Sequence, residues 1–158
     1  MNKKRKQGLI LMITGVVIGV TAGLLWNREP EAEPVVKSEE VSIKIKDTTY
    51  VLEQMVTQAQ RERGLSGRLT LGKDRGLLFV FDEKDKHGFW MKDMNFPISI
   101  IWLDEECKIT GFKDVAKPES YPEVFYPELK SKYVVETNPI SSDVAIGQKL
   151  ECSFLPKE

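Results

Sequence analysis

Residues 75–103 read RGLLFVFDEKDKHGFWMKDMNFPISIIWL, and this stretch holds most of the unusual side-chain chemistry of the chain. His87, Met91 and Met94 follow a His-x3-Met-x2-Met spacing that offers one imidazole and two thioethers, a donor set suited to Cu(I). Methionine equally fills irregular gaps in apolar cores, so the competing reading packs Met91 and Met94 and leaves His87 as a solvated turn residue. His87 is the single histidine, which excludes any multi-histidine zinc or iron site. Lys92, Asp93 and Asn95 stand on the bridge between two apolar runs, where a rigid scaffold gathers binding groups. The plainer reading of these three is a salt-bridged network that satisfies backbone groups where the chain leaves a sheet.

Catalysis has little to build on. A Ser–His–acid set would have to use His87, and no serine sits in a nucleophile-elbow motif. Carboxylate pairs for glycoside cleavage can be drawn among Asp93, Asp104, Glu105 and Glu136, but a chain that is 30% charged supplies such pairs by chance. Cys107 and Cys152 make an even count, and thiols outside the cytoplasm tend to oxidise. If paired they close a loop of about 45 residues, worth roughly 4 kcal/mol in loop-closure entropy. Two separately buried thiols are the alternative. The loop Tyr121-Pro122-Glu123-Val124-Phe125-Tyr126-Pro127 sets three aromatics between prolines. A stiff loop of this kind suits contact with a sugar or peptide through Tyr121, Phe125 and Tyr126, or it plugs an open end of the domain as a lid.

These groups need a scaffold. Residues 77–81, 89–91 and 98–103 are short, apolar runs that read as strands buried on at least one face, which puts the polar bridges at the ends of a sheet. Val41, Ile43 and Ile45 alternate with polar residues, Lys46-Asp47 turns the chain, and residues 50–56 return, so the domain opens with a hairpin. Thr57 and Gln60 form a capping box for a short surface helix that Gly64 ends. Residues 107–112, 133–137 and 149–154 read as further strands, and Ser141-Ser142-Asp143 as the cap of a single helical turn. Residues 117–127 read as an irregular loop, because three prolines cannot sit inside a sheet. Roughly seven to nine short strands with one or two short helices predict a mainly β domain, a sandwich or barrel of the jelly-roll type.

The N-terminus places the domain. Lys3, Lys4, Arg5 and Lys6 precede a run from Gly8 to Trp26 that is 19 residues long and uncharged. As a helix at about 1.5 Å per residue this run spans about 28 Å, close to a hydrocarbon layer of about 30 Å. Trp26 falls at the exit interface, and the basic cluster should stay cytoplasmic. Residues 1–26 are therefore read as a single-pass transmembrane helix at the cell membrane, with the N-terminus cytoplasmic and the domain outside. Val20-Thr21-Ala22 imitates a cleavage site, so secretion after signal cleavage is the alternative. Residues 27–40 read as a Glu/Pro-rich tether and residues 41–158 as one domain. Beyond residue 26 lie all 24 acids but only 19 of the 23 basic residues, so the exported part is about five charges negative. Such an acidic domain is not expected to bind nucleic acid.

Arg63-Gly64-Leu65 with Arg68, Gly76-Leu77-Leu78-Phe79-Val80-Phe81, Phe89-Trp90-Met91-Lys92-Asp93-Met94, Pro97, Asp104, Tyr133, Glu136 and Gly147 together resemble the domain-of-unknown-function family 192. The likeness covers about residues 50 to 155. It implies a compact, mainly β domain, often exported or membrane-attached, with no established activity to carry over. It also singles out Arg68 and Glu136, which with Lys92, Asp93 and Asn95 would form a polar pocket. Two departures stand out. Gly76-Leu77 replaces the usual Gly-Met, a volume-conserving swap. Pro97 is followed by Ile98 and Ser99 rather than Leu-Asp, so an acid/base role for that aspartate would be lost here. The leading expectation is a membrane-tethered extracytoplasmic β domain that binds a ligand or an envelope glycan, peptide or protein without chemistry and without a cofactor. An envelope hydrolase or carbohydrate-active enzyme using Asp and Glu, and a Cu(I)-handling module using His and Met, are the alternatives.

Overall fold

The computed structural model describes residues 40–140 and 144–155. The anchor, the tether up to residue 39 and the cap expected at Ser141-Ser142-Asp143 lie outside them. Among the described residues no helix is long and apolar enough to cross a membrane.

β1 (Glu40–Ile45) and β2 (Thr48–Met55) form the expected hairpin, with Lys46 at φ 55° in its turn. The capping box is present: the Gln60 amide donates to the Thr57 hydroxyl at 3.2 Å, and the Gln60 side chain accepts from the Thr57 amide at 2.9 Å. It starts α1 (Gln58–Arg63), which ends at Gly64 with φ 48° and ψ −130°, a conformation left to glycine. The helix is the crossover that lets β3 (Arg75–Asp85) run parallel to β2. The remaining strands are β4 (Phe89–Trp90), β5 (Ile98–Leu103), β6 (Ile109–Ala116), β7 (Val124–Phe125), β8 (Ser131–Thr137) and β9 (Glu151–Cys152).

Seven of them form one sheet in the order β6-β5-β8-β3-β2-β1-β9, and β4 pairs with β7 apart from it. The last segment joins the two edges. β9 pairs with β1 at Ile43↔Cys152, while Lys149 bridges Lys108 and the Leu150 amide donates to the Cys107 carbonyl at 2.9 Å. A disulfide between Cys107 and Cys152, with Cα atoms 6.5 Å apart, staples that seam. The result is a near-barrel. Of the expected sandwich or barrel, the mainly β, barrel-like form is present, built as one curling seven-stranded sheet with a parallel β2–β3 step.

Alternation along each central strand feeds two cores. Leu52, Leu78, Ile101, Leu103 and Val135 pack inside the near-barrel. Leu77, Phe79, Ile98, Ile100, Trp102 and Val134 form a second, outer core, so every residue of β5 is buried. Covering the outer face are Leu65, Met91 and Phe125, with Phe89, Met94 and Phe96 packed against them. Residues 87–97 thus lie across a sheet face rather than at strand ends, which corrects the expected placement. Residues 117–127 are also more regular than expected. They contain a 3-10 turn (Pro118–Ser120) and β7, which hydrogen-bonds to β4. At Gly76, β3 approaches β8 so closely that an added Cβ would stand 2.5 Å from the Glu136 carbonyl oxygen.

Candidate functional site

β8 carries a carboxylate where its outer core would otherwise continue. Alternation puts Val134 and Glu136 on the outer face, and the register Leu77↔Glu136↔Ile100 flanks the acid with two fully buried aliphatic residues. Glu136 is 5% exposed, and its Oε2 has no hydrogen-bond partner among the described residues. Burial pushes its carboxyl up to about 8, against the downward pull of the Arg68 charge.

Above this acid lies a cleft of about 780 Å³. Gly64 lies directly over the carboxyl, since a Cβ there would stand 3.8 Å from Oε2 and 3.3 Å from the Phe79 ring. The walls are aromatic. Phe79 meets Phe89 edge-on at 4.8 Å, Phe89 meets Phe81 at 6.5 Å, and the His87 ring stacks on Phe81 at 3.5 Å. α1 contributes Arg61 and Arg63 to the lining, and the opposite segment contributes Lys92 and Asp93. Arg61 is committed elsewhere: it donates to the Val56 and Val80 carbonyls at 2.6 and 2.9 Å and lies 5.4 Å from the Phe81 ring centre. Lys92 stands 6.0 Å from the Trp90 ring centre. Among the described residues neither Arg63 nor Lys92 has an ion pair.

Of the residues expected to converge, Lys92, Asp93 and Glu136 line this cleft. Arg68 does not; its guanidinium pairs with Glu53 at 2.9 Å and reaches Glu136 only through its charge. Asn95 serves the scaffold, its Nδ2 donating to the Arg68 carbonyl at 2.9 Å. The backbone of the bridge is likewise tied down: the Ser66 hydroxyl donates to the Lys92 carbonyl at 2.9 Å and the Gly67 amide to the Asp93 carbonyl at 2.8 Å. The aromatic loop divides. Phe125 is 9% exposed and belongs to the outer core, with the Lys113 ammonium 4.7 Å from its ring centre. Tyr121 and Tyr126 are 46% and 62% exposed, and Tyr121 meets Trp90 edge-on at 6.0 Å.

The methionine–histidine set is split between packing and lining. Met91 is sealed in the outer core, while His87 and Met94 line the cleft and the His87 Nε2 lies 3.1 Å from the Glu83 carbonyl. Among the described residues no three or more His, Cys, Asp and Glu gather as a metal site. Asp104 accepts the Glu106 and Lys108 amides in the turn after β5, and Glu105 pairs with Lys84, so neither faces the cleft. Ser99 is buried away from it, donating to the Asp114 carbonyl and accepting the Ile140 amide at 3.0 Å.

Sequence reasoning missed the helix wall, the Phe79–Phe81–Phe89 rings and Glu53 as the partner of Arg68. One signal was available for Glu136. It alternates with valines in an apolar strand, and a central strand has no wet face to receive it. Chemically the arrangement is a polar floor under apolar walls, with cations and carboxylates together at the rim. A neutral carboxyl both donates and accepts, whereas an ionised one only accepts.

No curated protein matches the chain. Two solved structures share the fold. One is a protein from Sinorhizobium meliloti 1021 described provisionally as a transcription regulator, with 26% identity and a TM-score of 0.65, covering 74% of this chain and 96% of its own. The other is a protein of unknown function from Novosphingobium aromaticivorans DSM 12444, with 23% identity and a TM-score of 0.63, covering 79% of this chain and 94% of its own. Residues 40–152, nearly the whole described domain, match DUF192 (Uncharacterized ACR), and the chain belongs to that family.

Proposed function

We propose that the domain is a non-catalytic ligand-binding module held at the outer face of the cell membrane by its N-terminal segment. The observation that carries binding is the unpartnered, buried Glu136 carboxyl on the floor of an aromatic-walled cleft. Leaving a buried acceptor unsatisfied costs about 1–3 kcal/mol, which a ligand group placed on Oε2 recovers. The cleft volume is in the range of small-molecule sites, about 300–1,000 Å³. Trp90 and Tyr121 continue its rim as an exposed aromatic ridge.

Two features support the location. The uncharged 19-residue run behind a basic cluster suits a single-pass anchor, and a disulfide suits an oxidising compartment. The negative charge of the exported part argues against carrying over the regulator label of the Sinorhizobium protein, since nucleic-acid binding draws on cationic surface.

The test is ligand-observed NMR on the full chain against envelope glycans and stem peptides. Trp90→Ala and Lys92→Ala, both at the rim, should each weaken the ligand found by about tenfold or more, or about 1.4 kcal/mol. Ligands that bind both variants as tightly as the parent would remove the cleft from the account.

A further inference from the structure

The cleft has a buried acid at its floor and two cations without an ion pair among the described residues, Arg63 and Lys92, at a rim that also carries Glu62 and Asp93. Resting on the binding reading above, we infer that it takes a zwitterion, with a primary ammonium seated on Glu136 and a carboxylate of the same molecule drawn to Arg63 and Lys92. This is the chemistry of a free amino acid or a short peptide.

Three observations lead there. Glu136 lines the cleft, and its Oε2, buried beside the Phe79 ring and beneath Gly64, has no partner among the described residues, so it calls for a small donor and has no room for a bulky one. Ring faces attract an ammonium and offer a neutral hydroxyl much less, which favours a cation over a sugar at this floor. Arg63 and Lys92 line the same cleft without an ion pair among the described residues, beside Glu62 and Asp93, and they supply the positive charge that a ligand carboxylate needs.

The seat has a proton linkage. In the free protein burial keeps the Glu136 carboxyl protonated up to about pH 8, so an arriving ammonium must displace its proton to the buffer. Around it, Glu53 on β2 is paired with Arg68, and Arg61 is held by the two carbonyls. Glu62 accepts from Gln58 at 2.8 Å, and His87 and Asp93 face the cleft from the opposite segment. β3 and β5 present only apolar side chains, Leu77, Phe79 and Ile100, to this part of the outer face.

Calorimetry on the full chain at pH 7, in phosphate and in Tris, reads the displaced proton directly. The probes are alanine, the dipeptide Ala-Ala, propylamine, propionate and a neutral disaccharide. The expected result is that alanine or Ala-Ala binds at least tenfold tighter than propylamine or propionate and releases about one proton per ligand. Which of the two binds tighter distinguishes an amino acid from a peptide. Affinity should fall about tenfold per pH unit below 8. Glu136→Gln should abolish the proton release and weaken Ala-Ala at least tenfold. Arg63→Ala and Lys92→Ala should weaken Ala-Ala but not propylamine. A disaccharide that binds best, or zwitterion binding without proton release, overturns this inference and leaves a binding cleft. Failure of every probe, in a protein that also retains no glycan or stem peptide, overturns both.

Discussion

Replacing Glu136 by glutamine raises the stability of the folded domain at pH 8 by about 2–4 kcal/mol and changes it by about 1 kcal/mol or less at pH 5. In the unfolded chain this carboxyl ionises near 4.5, whereas in the fold burial holds it neutral up to about 8. Between those values the native state binds the proton that the unfolded state has released. Stability therefore declines as pH rises from about 4.5, and the loss is complete just above 8. A shift of this size corresponds to roughly 3–5 kcal/mol, of which the buried amide of glutamine gives back about 1. Urea unfolding of both proteins at pH 5, 6.5 and 8 measures it. Parallel pH profiles would show that the acid is not buried in neutral form. A side chain that lowers stability at working pH suits a binding site, where stability is commonly traded for function.

Removing the disulfide is the second large effect. Cys107 precedes β6 and Cys152 lies in β9, so the bond closes a 45-residue separation at the seam between the two sheet edges. Loop-closure entropy gives a stabilisation of about 4 kcal/mol for a loop of this length. The double variant Cys107→Ala/Cys152→Ala should lose about that much in urea unfolding. β9 makes only the pairs Ile43↔Cys152 and Lys44↔Glu151 with β1, so the amides of residues 148–153 should also lose hydrogen-exchange protection. An unchanged urea midpoint would mean that the seam holds without its staple.

Much of the fold was legible in the sequence where local chemistry dictates the outcome. Thr57, Gln60 and Gly64 bounded α1, because a capping box and a terminal glycine satisfy the helix ends through contacts a few residues apart. Ile98 to Leu103 read as a strand buried on at least one face because no polar residue beyond Ser99 interrupts it, and all six of its residues are buried. The parallel pairing of β2 with β3 and the return of β9 to β1 were not legible. They depend on contacts between segments distant along the chain, which periodicity does not encode. The site shows the same division. Lys92 and Asp93 were identifiable as polar groups between apolar runs and Glu136 through the family resemblance, and the three share a cleft. Arg68 and Asn95 carry the same kinds of polar atoms, yet Glu53 and a backbone carbonyl occupy them. Phe125 could not be told from Tyr121 and Tyr126 by type, and only the β4–β7 pairing decides that it turns inward.

Binding rests on Glu136, uncharged beneath the aromatic cleft, with an Oε2 that has no partner among the described residues. Carbon-13 NMR of the Glu136 carboxyl across pH 3 to 10, on the full chain without ligand, addresses this most directly. The expected curve has a single midpoint near 8. A midpoint near 4.5, the ordinary glutamate value, would show the group solvated or already paired and would contradict it.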